Sequence, residues 1–130
     1  MQPKKTILLY CSDREILSAT AFTLRLQPYD VTAVHNCKEA TALAASKDAA
    51  FACGVLIHIQ QGDPAGRLMH RLLRSPSGIP LLLVDRAGDL APVRYVDIVL
   101  YGLNTTMAHI LAALQTLSMR SPDPNSRRAA

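Results

Sequence analysis

The sequence predicts a doubly wound α/β fold, in which helices cover both faces of a five-stranded parallel sheet. Three observations support this prediction. Short apolar runs alternate with helical patterns along the chain. The central runs are apolar enough to be buried on both faces, as in parallel sheets. The length of 130 residues and the hydrophobic fraction of 49% suit a single domain.

The first two strand–helix units are clear from their patterns. Residues 6–11 form the first predicted strand, and Ser12-Asp13-Arg14-Glu15 matches a capping box with Ser12 as the N-cap. Apolar residues then recur at helical spacing until Pro28, which ends the helix: Ile16, Leu17, Ala21 and Leu24. Residues 29–35 alternate as the second strand. Asn36 is the predicted N-cap of the second helix, with Glu39 three residues further on.

The remaining part of the chain shows the same alternation of strand and helix patterns. Residues 51–59 form a third strand that is apolar on both faces, and Pro64 opens a helix carrying Leu68, Met69, Leu72 and Leu73. Residues 79–84 and 97–101 are the fourth and fifth strands, with a short and weakly helical stretch, 89–95, between them. The last helix presents one apolar face: Met107, Ile110, Leu111, Leu114 and Leu117. We expect a domain over residues 1–120 and a disordered tail over residues 121–130.

The strand order is predicted from topology rules and from size. Right-handed crossovers leave few arrangements of five parallel strands. A domain of this size favours the flavodoxin-like order 2-1-3-4-5 over a six-stranded dinucleotide-binding fold. No Gly-x-Gly-x-x-Gly follows the first strand, which also argues against dinucleotide binding. We predict no cofactor.

Composition excludes several classes of protein. No apolar run reaches the ~18 residues of a membrane span, and the N-terminus lacks the apolar region of a signal peptide. We therefore expect a cytoplasmic protein without a membrane partner. Three cysteines without CxxC spacing argue against a disulfide framework and a structural zinc site. Part of the net charge of +4 comes from Arg120, Arg127 and Arg128 near the C-terminal end, and the other basic residues are scattered, which does not favour nucleic acid as a partner.

Polar side chains occur where buried strands give way to loops. His58 lies near the end of the third apolar run, and Cys11 and Asp85 end the first and fourth runs. In open α/β sheets, ligands bind at the carboxyl ends of the strands. These three positions are therefore the first candidates for a functional site.

The chain resembles the receiver domains of bacterial response regulators over residues 4–118. Residues 7–16 resemble the family's first strand and turn, and His58 precedes Gly66 by the family's spacing of eight residues. Residues 79–84 and 97–102 resemble its fourth and fifth strands. The resemblance implies a CheY-like fold and a role in two-component signal transduction.

The resemblance also implies a site. In such receivers an aspartate ending strand three accepts a phosphoryl group from a histidine kinase. An acidic pair after strand one helps to hold Mg²⁺, and a hydroxyl and a lysine contact the phosphoryl oxygens. The matching positions in this chain hold Cys11 and Ser12 for the acidic pair, His58 for the acceptor, Asp85 for the hydroxyl and Tyr101 for the lysine. The pocket is degenerate, and the resemblance implies a pseudo-receiver.

The expected function follows from this degenerate pocket. Without a carboxylate at position 58 no acyl phosphate forms, and Asp85 repels an incoming phosphate. We expect a non-enzymatic regulator that associates with a protein partner in a bacterial signalling pathway, without phosphorylation. The family uses the face of strand five and its flanking helices for dimers and partners. The corresponding residues here, which also fit a core, are Leu100, Leu103, Met107 and Leu111.

Two other function classes stay open. Cys11, His58 and Asp85 could act as nucleophile, base and orienting group of a small enzyme, or could bind a soft metal such as Zn²⁺ or Cu. A nucleic-acid adaptor acting through the Arg-rich tail is the third class. No oxyanion element or substrate cleft is legible in the sequence, so the signalling interpretation is favoured.

Overall fold

The computed structural model describes residues 5–27, 29–45, 51–60, 62–74, 79–86, 98–101 and 106–119. The strands are β1 (Lys5–Cys11), β2 (Tyr29–Val34), β3 (Cys53–His58), β4 (Leu81–Asp85) and β5 (Ile98–Tyr101). The helices are α1 (Arg14–Arg25), α2 (Cys37–Ala45), α3 (Ala65–Arg74) and α4 (Met107–Met119). The predicted helical stretch 89–95, Leu103 and the predicted disordered tail lie outside the described residues. None of the described helices is long and apolar enough to cross a membrane.

The sheet has the predicted architecture. Its five strands are parallel and lie in the order β2-β1-β3-β4-β5, which confirms the flavodoxin-like fold. The carboxyl ends of β1, β3 and β4 meet at one edge. There Cys11 pairs with Ile57, and His58 pairs with Asp85. Asp85 in turn pairs with Tyr101 of β5.

Two apolar cores cover the two faces of the sheet, because alternate residues of each strand point to opposite faces. The first core joins the sheet to α1 and α4 through Leu17, Ala21, Leu24, Ile110, Ala113, Leu114 and Leu117. The second core joins it to α2 and α3 through Ala40, Ala44, Ala65, Leu68, Met69 and Leu72. All six residues of β3 are buried, as the apolar run predicts for a central strand.

The first helix begins one residue later than the capping-box motif predicts. Asp13 is the N-cap of α1, and its Oδ1 accepts hydrogen bonds from the backbone N–H groups of Glu15 at 2.9 Å and Ile16 at 3.1 Å. The prediction of Ser12 as N-cap was therefore wrong. Asp13 is an equally good capping residue by type, and Ser12 is engaged elsewhere.

The second helix begins as predicted. Asn36 Oδ1 accepts a hydrogen bond of 2.7 Å from the Glu39 N–H, and the Asn36 carbonyl accepts one from the Ala40 N–H. Asn36 therefore caps α2. Its position leaves Cys37 as the first helical residue.

The proposed partner residues at the end of the domain also pack inward. Leu100, Met107 and Leu111 are partly buried against the first core. Their apolar character is therefore explained by packing at the edge of the core. Their use as a partner or dimer surface stays a prediction.

Candidate functional site

His58 and Asp85 form the centre of the candidate site. They end β3 and β4, lie opposite one another in the parallel register, and are 2% and 0% exposed. The backbone N–H of Arg86 donates a 2.8 Å hydrogen bond to the His58 carbonyl, which extends the strand pairing beyond these residues. Strand alternation places both side chains on the α2/α3 side of the sheet, with Leu56 and Leu83.

The imidazole of His58 is enclosed. Its Nδ1 atom is buried and makes no hydrogen bond within the described ranges. This concerns that ring atom alone, since His58 and Asp85 both take part in other interactions. A ring that is 2% exposed offers little access to a phosphodonor or to a substrate.

Cys11 lies on the other side of the sheet. It belongs to the first core with Ile57 and Val84, because its register partner in β3 is Ile57 and not His58. Strand alternation therefore directs its side chain away from the face that carries His58 and Asp85. Among the described residues, no three His, Cys, Asp or Glu side chains come together as a metal site.

The Cys11 thiol is held in its protonated form. Burial raises the pKa of Cys11, and the carboxylates of Asp63 and Asp13 add to this, while a backbone hydrogen bond with Asp13 and the charge of Arg86 oppose it. A thiol is a poor nucleophile compared with its thiolate. The side chain therefore behaves as a core residue at neutral pH.

The two loop residues after β1 are occupied by structural hydrogen bonds. Ser12 Oγ donates to Asp63 Oδ2 at 3.0 Å. Asp13, which lies next to the position of the family's acidic pair, caps α1 with its carboxylate. Ser12 has no carboxylate, so the two residues do not form the matched pair of carboxylates that suits a hard cation.

Asp63 is a site residue that the sequence interpretation missed. Its Oδ2 accepts from Ser12 Oγ and from the Ile59 N–H at 3.2 Å, and its Oδ1 accepts from the Ala65 N–H at 3.0 Å. It thereby joins the loop after β1 to the loop after β3 and to the start of α3. Aspartate before proline at a helix start is a typical turn signal, but nothing in the sequence indicates a bond to Ser12.

Gly62 makes this position of Asp63 possible. Its φ of +88° lies in the left-handed region that favours glycine. The chain turns there, and the Asp63 N–H donates a 3.1 Å hydrogen bond to the Gln60 carbonyl. The turn carries the Asp63 carboxylate back toward β3.

Tyr101 completes the set of predicted positions. Its backbone lies beside Asp85 at the end of β5, where the resemblance puts the family's lysine. The register thus brings positions 58, 85 and 101 side by side, with position 11 offset by one residue.

Comparison with known proteins supports the fold. No family model matches the chain, and no curated protein matches it in sequence. Among solved structures it is similar to the receiver domain of a Francisella response regulator, with a TM-score of 0.74, 14% identity, and coverage of 90% of this chain and 98% of that one. It is also similar to an adenylate cyclase from Rhodopirellula baltica, with a TM-score of 0.77, 20% identity, and coverage of 97% and 96%.

A third similar structure belongs to the redox sensors of streptococci that evolved from two-component response regulators. Its TM-score is 0.72 at 18% identity, and the match covers 97% of this chain but 56% of that one. The structural neighbours are thus mainly CheY-like receiver domains. At these identities the comparison establishes the receiver fold of this chain.

Proposed function

We propose that this domain is a signalling module of the receiver type that acts by associating with a protein partner and does so without phosphorylation. The observation that carries the proposal is the state of the phosphoacceptor position. A buried histidine, His58, stands there beside a buried carboxylate, Asp85. Neither side chain can play the role that the receiver pattern gives to its position.

The chemistry of position 58 supports this proposal. An acyl phosphate forms only on a carboxylate. Phosphorylation of an imidazole nitrogen requires the phosphodonor to reach the ring, and His58 is 2% exposed. An incoming phosphate also meets the negative charge of Asp85, with little water to screen it.

The neighbouring loops support it as well. Mg²⁺ takes hard oxygen ligands in octahedral geometry. Ser12 and Asp13 direct their side-chain oxygens to Asp63 and to the start of α1. Asp63 uses both carboxylate oxygens on neighbouring donors. The local hydrogen bonds therefore compete with any metal at this edge.

The cytoplasmic location and the absence of enzymatic activity are parts of the same proposal. One similar structure is an adenylate cyclase, but the candidate site of this chain separates Cys11 from His58 and Asp85 and keeps the Cys11 thiol protonated. These observations argue against an enzyme that uses Cys11, His58 and Asp85 as nucleophile, base and orienting group. The streptococcal redox sensors are an example of proteins derived from response regulators.

Incubation with acetyl phosphate and Mg²⁺, followed by intact-mass measurement, tests the proposal. We expect no added phosphoryl group under conditions that phosphorylate a receiver domain with the complete acidic set. The variant His58→Asp restores one carboxylate but not the metal pair, and we expect it to stay unmodified too. A stable phosphoprotein formed by the unaltered chain would overturn the proposal.

A further inference from the structure

A groove on the α2/α3 side of the sheet is lined by neither His58 nor Asp85. Its volume is ≈ 310 Å³, and it opens between the start of α2 and the exposed side of α3. Nine residues line it: Tyr10, Ser12, His35, Asn36, Cys37, Pro64, Arg67, Leu68 and Arg71. Ligand pockets have volumes of about 300–1,000 Å³, so this groove has room for a small organic molecule.

The charged side chains that line the groove are both arginines. Arg67 and Arg71 lie one helical turn apart on α3, and none of the nine lining residues is acidic. Neither guanidinium forms an ion pair or hydrogen bond in the part of the chain that the structure describes. Two adjacent guanidinium groups without a carboxylate are a suitable site for an anion with several oxygens, because each presents a planar fork of N–H donors.

Asp63 and Glu39, which each contact a residue of the groove lining, have other partners. Asp63 accepts its three hydrogen bonds from Ser12, Ile59 and Ala65. The Glu39 carboxylate lies 3.5 Å from Asn36 Nδ2. None of these partners is Arg67 or Arg71, although the charge of Asp63 still reaches the groove, where it helps to raise the pKa of Tyr10.

The opposite wall and the floor of the groove suit the rest of an organic ligand. His35 and Asn36 provide polar groups on the α2 side, and the Arg14 guanidinium lies 3.3 Å from His35 Nε2. Pro64 is partly exposed and provides apolar surface, next to the fully buried side chains of Leu68 and Tyr10. The Cys37 thiol contacts both the Tyr10 hydroxyl at 3.8 Å and the Pro64 carbonyl at 3.7 Å, which joins the two walls.

We propose that this groove binds a small organic phosphate, whose phosphoryl oxygens are held by Arg67 and Arg71. The binding does not depend on the proposed signalling function or on phosphorylation of the chain. It is a non-covalent ligand site on the other helix pair from the one that carries the predicted partner surface.

Calorimetric titration of the full chain with inorganic phosphate and with glycerol 3-phosphate tests the proposal. We expect glycerol 3-phosphate to bind more tightly than inorganic phosphate, and Arg67→Gln or Arg71→Gln to weaken binding about tenfold, as for a lost charged hydrogen bond. The matched control is Arg74→Gln. Arg74 is exposed on the same helix, one turn further on, and does not line the groove.

Cys37 gives an independent measure of the position of the ligand. It is the partly exposed cysteine of the three, whereas Cys11 and Cys53 are buried. We expect saturating glycerol 3-phosphate to slow the alkylation of Cys37 by iodoacetamide. Three outcomes would overturn the proposal: no measurable binding, equal weakening by the Arg74 variant, or binding that leaves the alkylation rate of Cys37 unchanged.

Discussion

The hydrogen bond between Ser12 and Asp63 joins two loops that are 51 residues apart in the chain. The Asp63 carboxylate also accepts two backbone N–H groups, so three donors depend on this one side chain. Among single residues, the loops after β1 and β3 at this edge are held by structural hydrogen bonds of Ser12, Asp13 and Asp63. The residues are polar, but their groups are directed at one another.

Substitution of Asp63 measures these contacts. Asp63→Ala leaves three donors without their acceptor, and we expect the free energy of unfolding to fall by about 2–3 kcal/mol in urea denaturation. Ser12→Ala removes one partner only, with an expected loss of about 1 kcal/mol. The double variant should cost less than the sum of the two. Equal losses from the two single variants would contradict this account of Asp63.

The three cysteines should differ in reactivity according to their burial. Cys37 is partly exposed, whereas Cys11 and Cys53 are buried and burial raises the pKa of Cys11. We expect iodoacetamide to modify Cys37 first in the native protein, and a rise from pH 7 to pH 9 to leave Cys11 unreactive. Peptide mass spectrometry after a short pulse measures this order. If Cys11 in the native protein reacts as fast as Cys37, the hypothesis of an enzyme with Cys11 as its nucleophile is supported again.

At the scale of elements, the sequence pattern predicted the fold well because each strand and helix carries a local signal. The apolar run of β3 indicated burial on both faces, and Asn36 indicated the start of α2. The site was harder to predict. The strand order predicts that the strands ending in Cys11, His58 and Asp85 are neighbours. It does not predict the register, which pairs Cys11 with Ile57 and depends on packing between the strands. A shift of one residue reverses the face of a side chain.

The N-cap of α1 offers a test at this scale. Asp13→Ala removes the acceptor of two N–H groups, and we expect a loss of about 1 kcal/mol of unfolding free energy. The matched control is Glu15→Ala, because a capping box would make Glu15 equally important. Thermal or urea unfolding measures both variants. If Glu15→Ala lowers the free energy of unfolding more than Asp13→Ala does, the capping box predicted from the sequence is supported instead of the Asp13 cap.

At the scale of the whole molecule, the buried titratable groups of β1 set a limit to stability at high pH. Burial raises the pKa of Tyr10 far above its ordinary value of 10.0, with a contribution from its hydrogen bond with Cys37, and raises that of Cys11 above 9.0. The unfolded chain loses these protons near the ordinary values while the folded chain keeps them. The stability that depends on them is therefore complete below about pH 9 and is lost as the pH rises toward the folded-state values.

Denaturation measured between pH 7 and pH 11 checks this dependence. We expect the free energy of unfolding to decrease above about pH 9. Tyr10→Phe removes one of the two groups and should make the decrease shallower above pH 10. A free energy that rises with pH across this range would contradict the assignment.

The two cores and the parallel sheet form the receiver fold, and the carboxyl edge of the sheet carries His58, Asp85 and Tyr101 side by side. We propose that this edge binds neither Mg²⁺ nor a phosphoryl group. An NMR titration measures it directly: the backbone amides of Ser12, Ile59 and Arg86 are followed as Mg²⁺ and then acetyl phosphate are added. We expect no saturable shift at any of the three amides. A saturable Mg²⁺ response at these loops, followed by a second set of signals with acetyl phosphate, would contradict it.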